Sequence, residues 1–264
     1  MASYGKAAKL ALVTGASGGI GLELAKLLAA SGYDLALAAR SAGKLEQIRD
    51  ELQMKYGIKV DAVPVDLTSD DARAELYARV PSCDVLVNNA GFANSGAFAA
   101  LAERDLLDEV RLNVLAVTEL TRLYLPGMLE RKNGKILNLA STAAFLPGPN
   151  MAVYYASKAY VLSLSEALAY EVRGSGVTVT ALCPGPTVTG FQRRANVEST
   201  LLFRFGHGDA AKVAKAGFDG MMRGKTIVVP GFVNKLSALS PRLTPRALVR
   251  AISAKLTERH SGDG

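Results

Sequence analysis

This sequence of 264 residues contains no Trp, two Cys and two His, and only 6% of its residues are aromatic. Cys83 and Cys183 stand 100 positions apart with no CxxC spacing, which excludes a disulfide framework and leaves two ordinary thiols. With His207 and His260 they make no zinc-ligating set, so no metal site is expected. No run approaches the roughly 18 apolar residues of a membrane span. The opening segment lacks the apolar core and small-residue cleavage site of a signal peptide. A cytoplasmic chain is the expectation.

What is present is 49% hydrophobic and 21% charged, which excludes a disordered or collagenous chain. The length suits one α/β domain with a core large enough to need no staple. Short apolar runs at residues 10–14, 35–39, 60–65, 85–88, 136–140, 177–183 and 226–229 alternate with helical periodicity at 20–31, 44–56, 70–79, 103–131, 153–173 and 210–222. Strands without strict polar alternation are covered on both faces. The reading is therefore an α/β fold: a doubly wound parallel sheet of about seven strands, a single domain over 1–264. Residues 231–260 form a C-terminal helical extension packed on or beside it. The segment 184–208 reads as a mobile loop.

The first strand runs into Thr14-Gly15-Ala16-Ser17-Gly18-Gly19-Ile20-Gly21 and a helix follows. Glycines there let the backbone turn sharply and approach a pyrophosphate, while the helix N-terminus offers unpaired N–H groups to it. Gly15, Ser17, Gly18, Gly19, Ile20 and Gly21 are the candidate phosphate cradle of a dinucleotide. The second strand ends in Ala39-Arg40-Ser41 with no acid to bind both ribose hydroxyls. Arg40 can grip a 2′-phosphate bidentately and Ser41 can add a hydroxyl, so NADP (NADPH) is the expected cofactor.

Further signals join the glycine loop: Asp66, Asn88-Asn89-Ala90-Gly91, Asn113, Ser141, Tyr154-x-x-x-Lys158 and Pro184-Gly185. Together they resemble the single-domain, NADP-preferring branch of the short-chain dehydrogenase/reductase family over about residues 8–230. The resemblance implies a Rossmann fold and an oxidoreductase acting on CH–OH and C=O groups. It places Asp66 and Leu67 at the adenine, Asn89, Ala90 and Gly91 along the adenine ribose side, and Pro184, Gly185 and Thr189 at the nicotinamide and phosphates. Asn113, Ser141, Tyr154 and Lys158 become the catalytic set, with Tyr154 and Lys158 also touching cofactor. The family spacing selects Tyr154 over Tyr155 and Ser141 over Thr142, and makes Asn113 a water-holding link to Lys158. A local irregularity of the helix is the other reading of Asn113.

Tyr154 and Lys158 share a helix face. A free phenol titrates near ~10, and a nearby ammonium together with the positive nicotinamide of the oxidised cofactor is expected to lower that value, so that Tyr154 trades a proton with a carbonyl or alcohol oxygen. Ser141 would polarise that oxygen. The expected reaction is reversible NADPH-dependent reduction of a ketone or aldehyde; a catalytically silent NADP-binding sensor is the alternative. Phe92, Phe145, Met151, Phe191 and Phe203, with the neighbouring apolar residues of the same loops, suggest a hydrophobic small-molecule substrate. Arg193, Arg194 and Arg204 either meet an anionic group or are solvated.

The family's four-helix contact implies a homodimer, possibly a tetramer, though the extension puts the tetramer in doubt. Leu248, Val249, Ile252 and Leu256 recur at helical spacing with basic residues between them. That helix either packs on its own domain, contacts a second subunit, or makes a peripheral contact with an anionic membrane. The formal net charge of +7 divides into +4 from residues 235–264 (six basic, two acidic) and +3 from the remainder. No nucleic-acid motif accompanies it, so no nucleic-acid partner is expected.

Overall fold

Leu10 and Leu12 of the first strand face one hydrophobic core, while Ala11 and Val13 face another. All five residues of this strand, β1 (Leu10–Thr14), are buried, because helices cover both sides of the sheet. The computed structural model describes residues 9–192 and 208–258. The other strands are β2 (Asp34–Ala39), β3 (Val60–Pro64), β4 (Val85–Asn88), β5 (Gly134–Leu139), β6 (Val177–Leu182) and β7 (Ile227–Val228). They form a parallel sheet in the order β3-β2-β1-β4-β5-β6-β7. The order reverses between β1 and β4, so the crevice at their carboxyl ends is where such a sheet takes its ligand.

One face is covered by α1 (Gly19–Ala30), α2 (Ala42–Tyr56) and α7 (Ala210–Met222), which bury Leu24, Leu28, Leu45, Val213 and Met221 against it. The other carries α3 (Asp70–Arg79), α5 (Ala116–Glu130) and the later turns of α6 (Ala152–Glu171), through Leu76, Leu120, Met128 and Leu168. A polar ladder crosses this second core. Asn88 Nδ2 donates to Thr121 Oγ1 (3.1 Å) and to Asn138 Oδ1 (2.9 Å), and Asn138 Nδ2 donates to Ser165 Oγ (3.0 Å). Asn88 and Asn138 are register partners on β4 and β5, so the ladder fixes α5 and α6 relative to the two strands.

Two helical expectations are corrected. The single helix read over 103–131 is α4 (Glu103–Val110), a π-helical turn at Arg111–Leu115, and α5. Asn113, inside that turn, is fully buried and bonds the main chain of Phe92 in both directions, which holds the extra residue in the turn. The extension after β7 contains two helices rather than one: α8 (Phe232–Leu239), entered through Gly231 at φ +86, and α9 (Arg246–Thr257).

Arg73 is 2% exposed and ties α3 to the loop that leads into the crevice. It donates to the Leu67 carbonyl (2.8 Å) and to Glu119 on α5 (2.6 Å), and pairs with Asp70. Both carboxylates keep contact with water, so its removal chiefly loses the carbonyl bond and a buried stem. Arg73→Ala is expected to lower stability by about 3 kcal/mol, read by urea unfolding. A loss below about 1 kcal/mol would show that the pairing is a surface interaction in disguise.

Candidate active site

At the crevice the ends of β1 and β4 are stitched together by Thr14 and Asn89. Thr14 Oγ1 donates to the Val87 carbonyl (3.1 Å) and accepts from the backbone N–H of Asn89 (2.9 Å) and Ala90 (3.0 Å). Asn89 Nδ2 returns to the carbonyls of Thr14 (2.9 Å) and Gly15 (3.1 Å). This clasp explains two of the glycines. Gly15 has φ +66, and a Cβ there would sit 2.7 Å from Asn89 Nδ2. A Cβ on Gly21 would overlap the same amide nitrogen. The first turn of α1 has no side-chain cap and no acid, so its N–H groups and dipole remain available to a phosphate.

From this loop opens a cleft of about 640 Å³. Its lining takes in Gly15, Ser17, Gly18, Gly19, Ile20, Arg40, Ser41, Asp66, Leu67, Asn89, Ala90 and Gly91, together with Ser141, Tyr154, Lys158, Pro184, Gly185 and Thr189. Gly21 stands behind the lining as a packing residue. The volume of the cleft, its glycine loop and an uncapped helix N-terminus fit a dinucleotide. Lys44, overlooked in the sequence, shares the rim with Arg40 and Ser41. Arg40 is exposed and makes no ion pair among the described residues.

Ser141 follows β5, and its oxygen accepts from Ala143 N–H (3.1 Å). Lys158 is 5% exposed and donates from Nζ to the Leu139 carbonyl (2.8 Å), with Nζ 5.7 Å from the Tyr154 ring centre. Asn113 does not line the cleft. Its Nδ2 donates to Phe92 O (2.8 Å) and Ser157 Oγ (3.1 Å), and its Oδ1 accepts from Phe92 N–H (3.2 Å). A Cβ on Gly91 would meet Asn113 Oδ1 at 3.0 Å and Lys158 Nζ at 3.4 Å. Glycine at 91 therefore leaves the space on which Asn113 and Lys158 converge.

The chain's own groups do not lower the Tyr154 pKa. Burial pushes the phenol above its ordinary range and outweighs the opposing effect of the Ser141 hydroxyl, with Tyr155 and Glu109 adding to the push. Burial also draws the Lys158 ammonium down to about 8, against the supporting charge of Glu109. At neutral pH the pair is thus a protonated phenol beside an ammonium.

Glu109 escaped the sequence reading. It lies on α4 one turn before Asn113, is fully buried, and accepts from Asn94 N–H (3.0 Å) and Asn94 Nδ2 (2.8 Å) through Oε2. Its Oε1 has no hydrogen-bond partner among the described residues. Burial raises the carboxyl to about 7, with the Asn94 hydrogen bonds and then Lys158 opposing. Successive helical turns therefore clamp one loop, Glu109 at Asn94 and Asn113 at Phe92. The signal was an acid four residues before Asn113, on the same helix face.

The substrate residues divide. Met151 and Phe191 line the cleft, and Phe191 packs on Tyr154 with ring centres 5.3 Å apart. Phe92 is corrected: it is buried with its main chain bonded to Asn113, and it lines, with Asp105 and Asp108, a cavity of about 210 Å³ that shares Arg40, Asp66 and Thr68 with the cleft. Phe145 is corrected as well, since it packs into a cluster with Val117, Val161 and Leu162. Phe203, Arg193, Arg194 and Arg204 lie outside the described residues.

The extension supplies walls that the sequence did not reveal, namely Asn234 and Ser237 of α8 and Leu256 of α9. Thr257 Oγ1 donates to the Pro149 carbonyl (2.7 Å), and Val249, Ser253 and Thr257 form the buried stripe of α9. The helix thus packs on its own domain along one edge. Tyr155 is held under it, its hydroxyl pushed up to about 12 by burial with Ser253 opposing.

Residues 9–199 match the family model of the short chain dehydrogenases. A very-long-chain 3-oxoacyl-CoA reductase of Phaeosphaeria nodorum is 37% identical over 187 residues, covering 68% of this chain and 55% of its own length. A putative ketoacyl reductase of granaticin polyketide synthesis from Streptomyces violaceoruber is 40% identical, with 73% of each chain covered. A short-chain dehydrogenase from Sphingobium yanoikuyae in complex with NADPH superposes with a TM-score of 0.81 at 30% identity, over 89% of this chain and 93% of that one. One from Burkholderia phymatum in complex with NAD gives 0.80 at 26% identity, over 98% and 100%.

A reaction that requires the Lys158 ammonium falls away as pH rises through about 8. Glu109 is ionised in that range and supports the charge, so in Glu109→Gln the descending limb of kcat/KM is expected to move acidic by about one unit. A limb that stays in place would contradict any action of Glu109 on Lys158.

Proposed function

This chain belongs to the short-chain dehydrogenase/reductase family, oxidoreductases acting on CH–OH and C=O groups, and on that premise we propose that it reduces a hydrophobic ketone or aldehyde with NADPH. The observation that carries the reading is the meeting of Ser141, Tyr154 and Lys158 in the cleft that begins at the glycine loop. When bound, the reduced nicotinamide supplies a hydride to the carbonyl carbon.

The chain's own groups handle the oxygen. The Tyr154 phenol, neutral at neutral pH, gives it a proton. The Ser141 hydroxyl donates a hydrogen bond to the same oxygen and fixes its direction. Lys158, anchored on the Leu139 carbonyl, stabilises the phenolate left behind. Asn113 acts as a positioning residue, holding the Phe92 loop beside Lys158. In reverse the same groups oxidise a secondary alcohol.

A hydrophobic substrate is supported by the apolar wall of Ala143, Leu146, Met151 and Phe191. The names of the 3-oxoacyl and ketoacyl reductase relatives favour a 3-oxoacyl chain within that class. The solved neighbours carry either NADPH or NAD, so the choice of NADPH is argued from Arg40, Ser41 and Lys44, with no acid at the end of β2. Asp66, Leu67, Asn89, Ala90 and Gly91 would hold the adenosine side, and Pro184, Gly185 and Thr189 the nicotinamide side.

A cytoplasmic homodimer completes the reading. Leu107, Leu115, Leu129, Tyr160 and Tyr170 on α4 to α6 are exposed apolar groups suited to a two-fold helix contact. Among the described residues no helix is long and apolar enough to cross a membrane.

The cofactor claim is tested by following NADPH and NADH oxidation with a panel of ketones. Arg40→Asp combined with Lys44→Asp is expected to weaken NADPH about tenfold or more while sparing NADH. An unchanged preference would make both residues ordinary surface cations.

A further inference from the structure

The two helices of the C-terminal extension present an unusual surface. On α8, Phe232 (83% exposed), Val233, Leu236 and Leu239 follow at i, i+1, i+4 and i+7, so one stripe of large apolar side chains faces outward. On α9, Leu248 and Ile252 are half exposed, while the opposite stripe of Val249, Ser253 and Thr257 is buried on the domain. Leu243 between the helices is 84% exposed. Apolar exposure of this kind marks an interaction site.

The charge carried by this stretch of the chain is of one sign. Between Asp219 and Glu258 there is no acid, while seven basic residues fall in that interval: Arg223, Lys225, Lys235, Arg242, Arg246, Arg250 and Lys255. Lys235, Arg246, Arg250 and Lys255 are exposed on the same two helices as the apolar stripes. A two-fold contact with a second copy through this face would bring these cations against their own images, which opposes association. Nucleic acid would satisfy the cations and leave the apolar stripe in water. One partner satisfies both, an anionic lipid bilayer whose headgroups meet the cations while the stripe enters the interface.

We propose that α8 and α9 form a docking surface that seats this protein peripherally on anionic phospholipid membranes. The surface adjoins the active-site cleft, because Asn234 and Ser237 of α8 and Leu256 of α9 line it. An apolar substrate dissolved in the bilayer then meets the cleft without crossing bulk water. The docking itself does not depend on the proposed reaction.

The test is co-sedimentation of the full chain with vesicles of phosphatidylcholine alone and of phosphatidylcholine with roughly one third phosphatidylserine. Partition to the anionic vesicles is expected to be about tenfold or more stronger and to fall as salt is raised. Phe232→Asp with Leu236→Asp should abolish it, and Arg250→Glu with Lys255→Glu should abolish the preference for phosphatidylserine, with melting temperature and oligomeric mass unchanged. Wild-type protein remaining in the supernatant with both vesicles would overturn the proposal. So would binding that neither double variant reduces. A drop in oligomeric mass in the Phe232/Leu236 variant would instead identify the face as a contact between copies and equally overturn it.

Discussion

The hydrogen-bonded clasp between Thr14 and Asn89 is the constraint on which the site depends. It joins the carboxyl ends of β1 and β4 where the strand order reverses, and a parallel sheet leaves a crevice only there. With the clasp in place the chain after Thr14 has one narrow way out. At position 15 a Cβ would combine a positive φ with a 2.7 Å approach to Asn89, and at position 21 it would overlap Asn89, so glycine stands at both. The free N-terminus of α1 then faces the cleft. The shape of the glycine loop is thus a consequence of how two strand ends are tied, as much as of the glycines themselves.

The second organising effect is burial of ionisable groups. Glu109, Tyr154 and Lys158 are all withdrawn from water, and in each case the neutral form gains. The result is a carboxyl and an ammonium drawn close to neutrality, at about 7 and about 8, beside a phenol held protonated. The π-helical turn delivers this arrangement, since Asn113 within it and Glu109 just before it hold Phe92 and Asn94 of one loop while Gly91 leaves room above Lys158.

Much of this was legible in the residues. Buried parallel strands have no polar face, so the seven apolar runs stood out and fall within one or two residues of the observed strands. The glycine loop, Arg40 and the Tyr154/Lys158 spacing are local patterns, and local geometry determines their place. What the sequence concealed depends on tertiary direction. Phe92 and Phe145 sit beside the cleft in sequence, yet one is pulled inward by Asn113 and the other by the core between α5 and α6. Glu109 carries the residue type of a solvated face, and only the fold shows that its helix position points inward. The return of α9 over Tyr155 rests on a hydrogen bond between positions 149 and 257, a separation at which no periodicity is informative.

The central claim is that Tyr154 completes a hydride transfer by protonating the substrate oxygen. Its most direct measurement is single-turnover transfer of deuterium from the C4 position of labelled NADPH to a ketone, by wild-type protein and by Tyr154→Phe. Deuterium on the carbinol carbon with wild-type protein, and a rate about a hundredfold or more lower in the variant, is the predicted result. Equal transfer by both proteins, or deuterium absent from the product carbon, would contradict it.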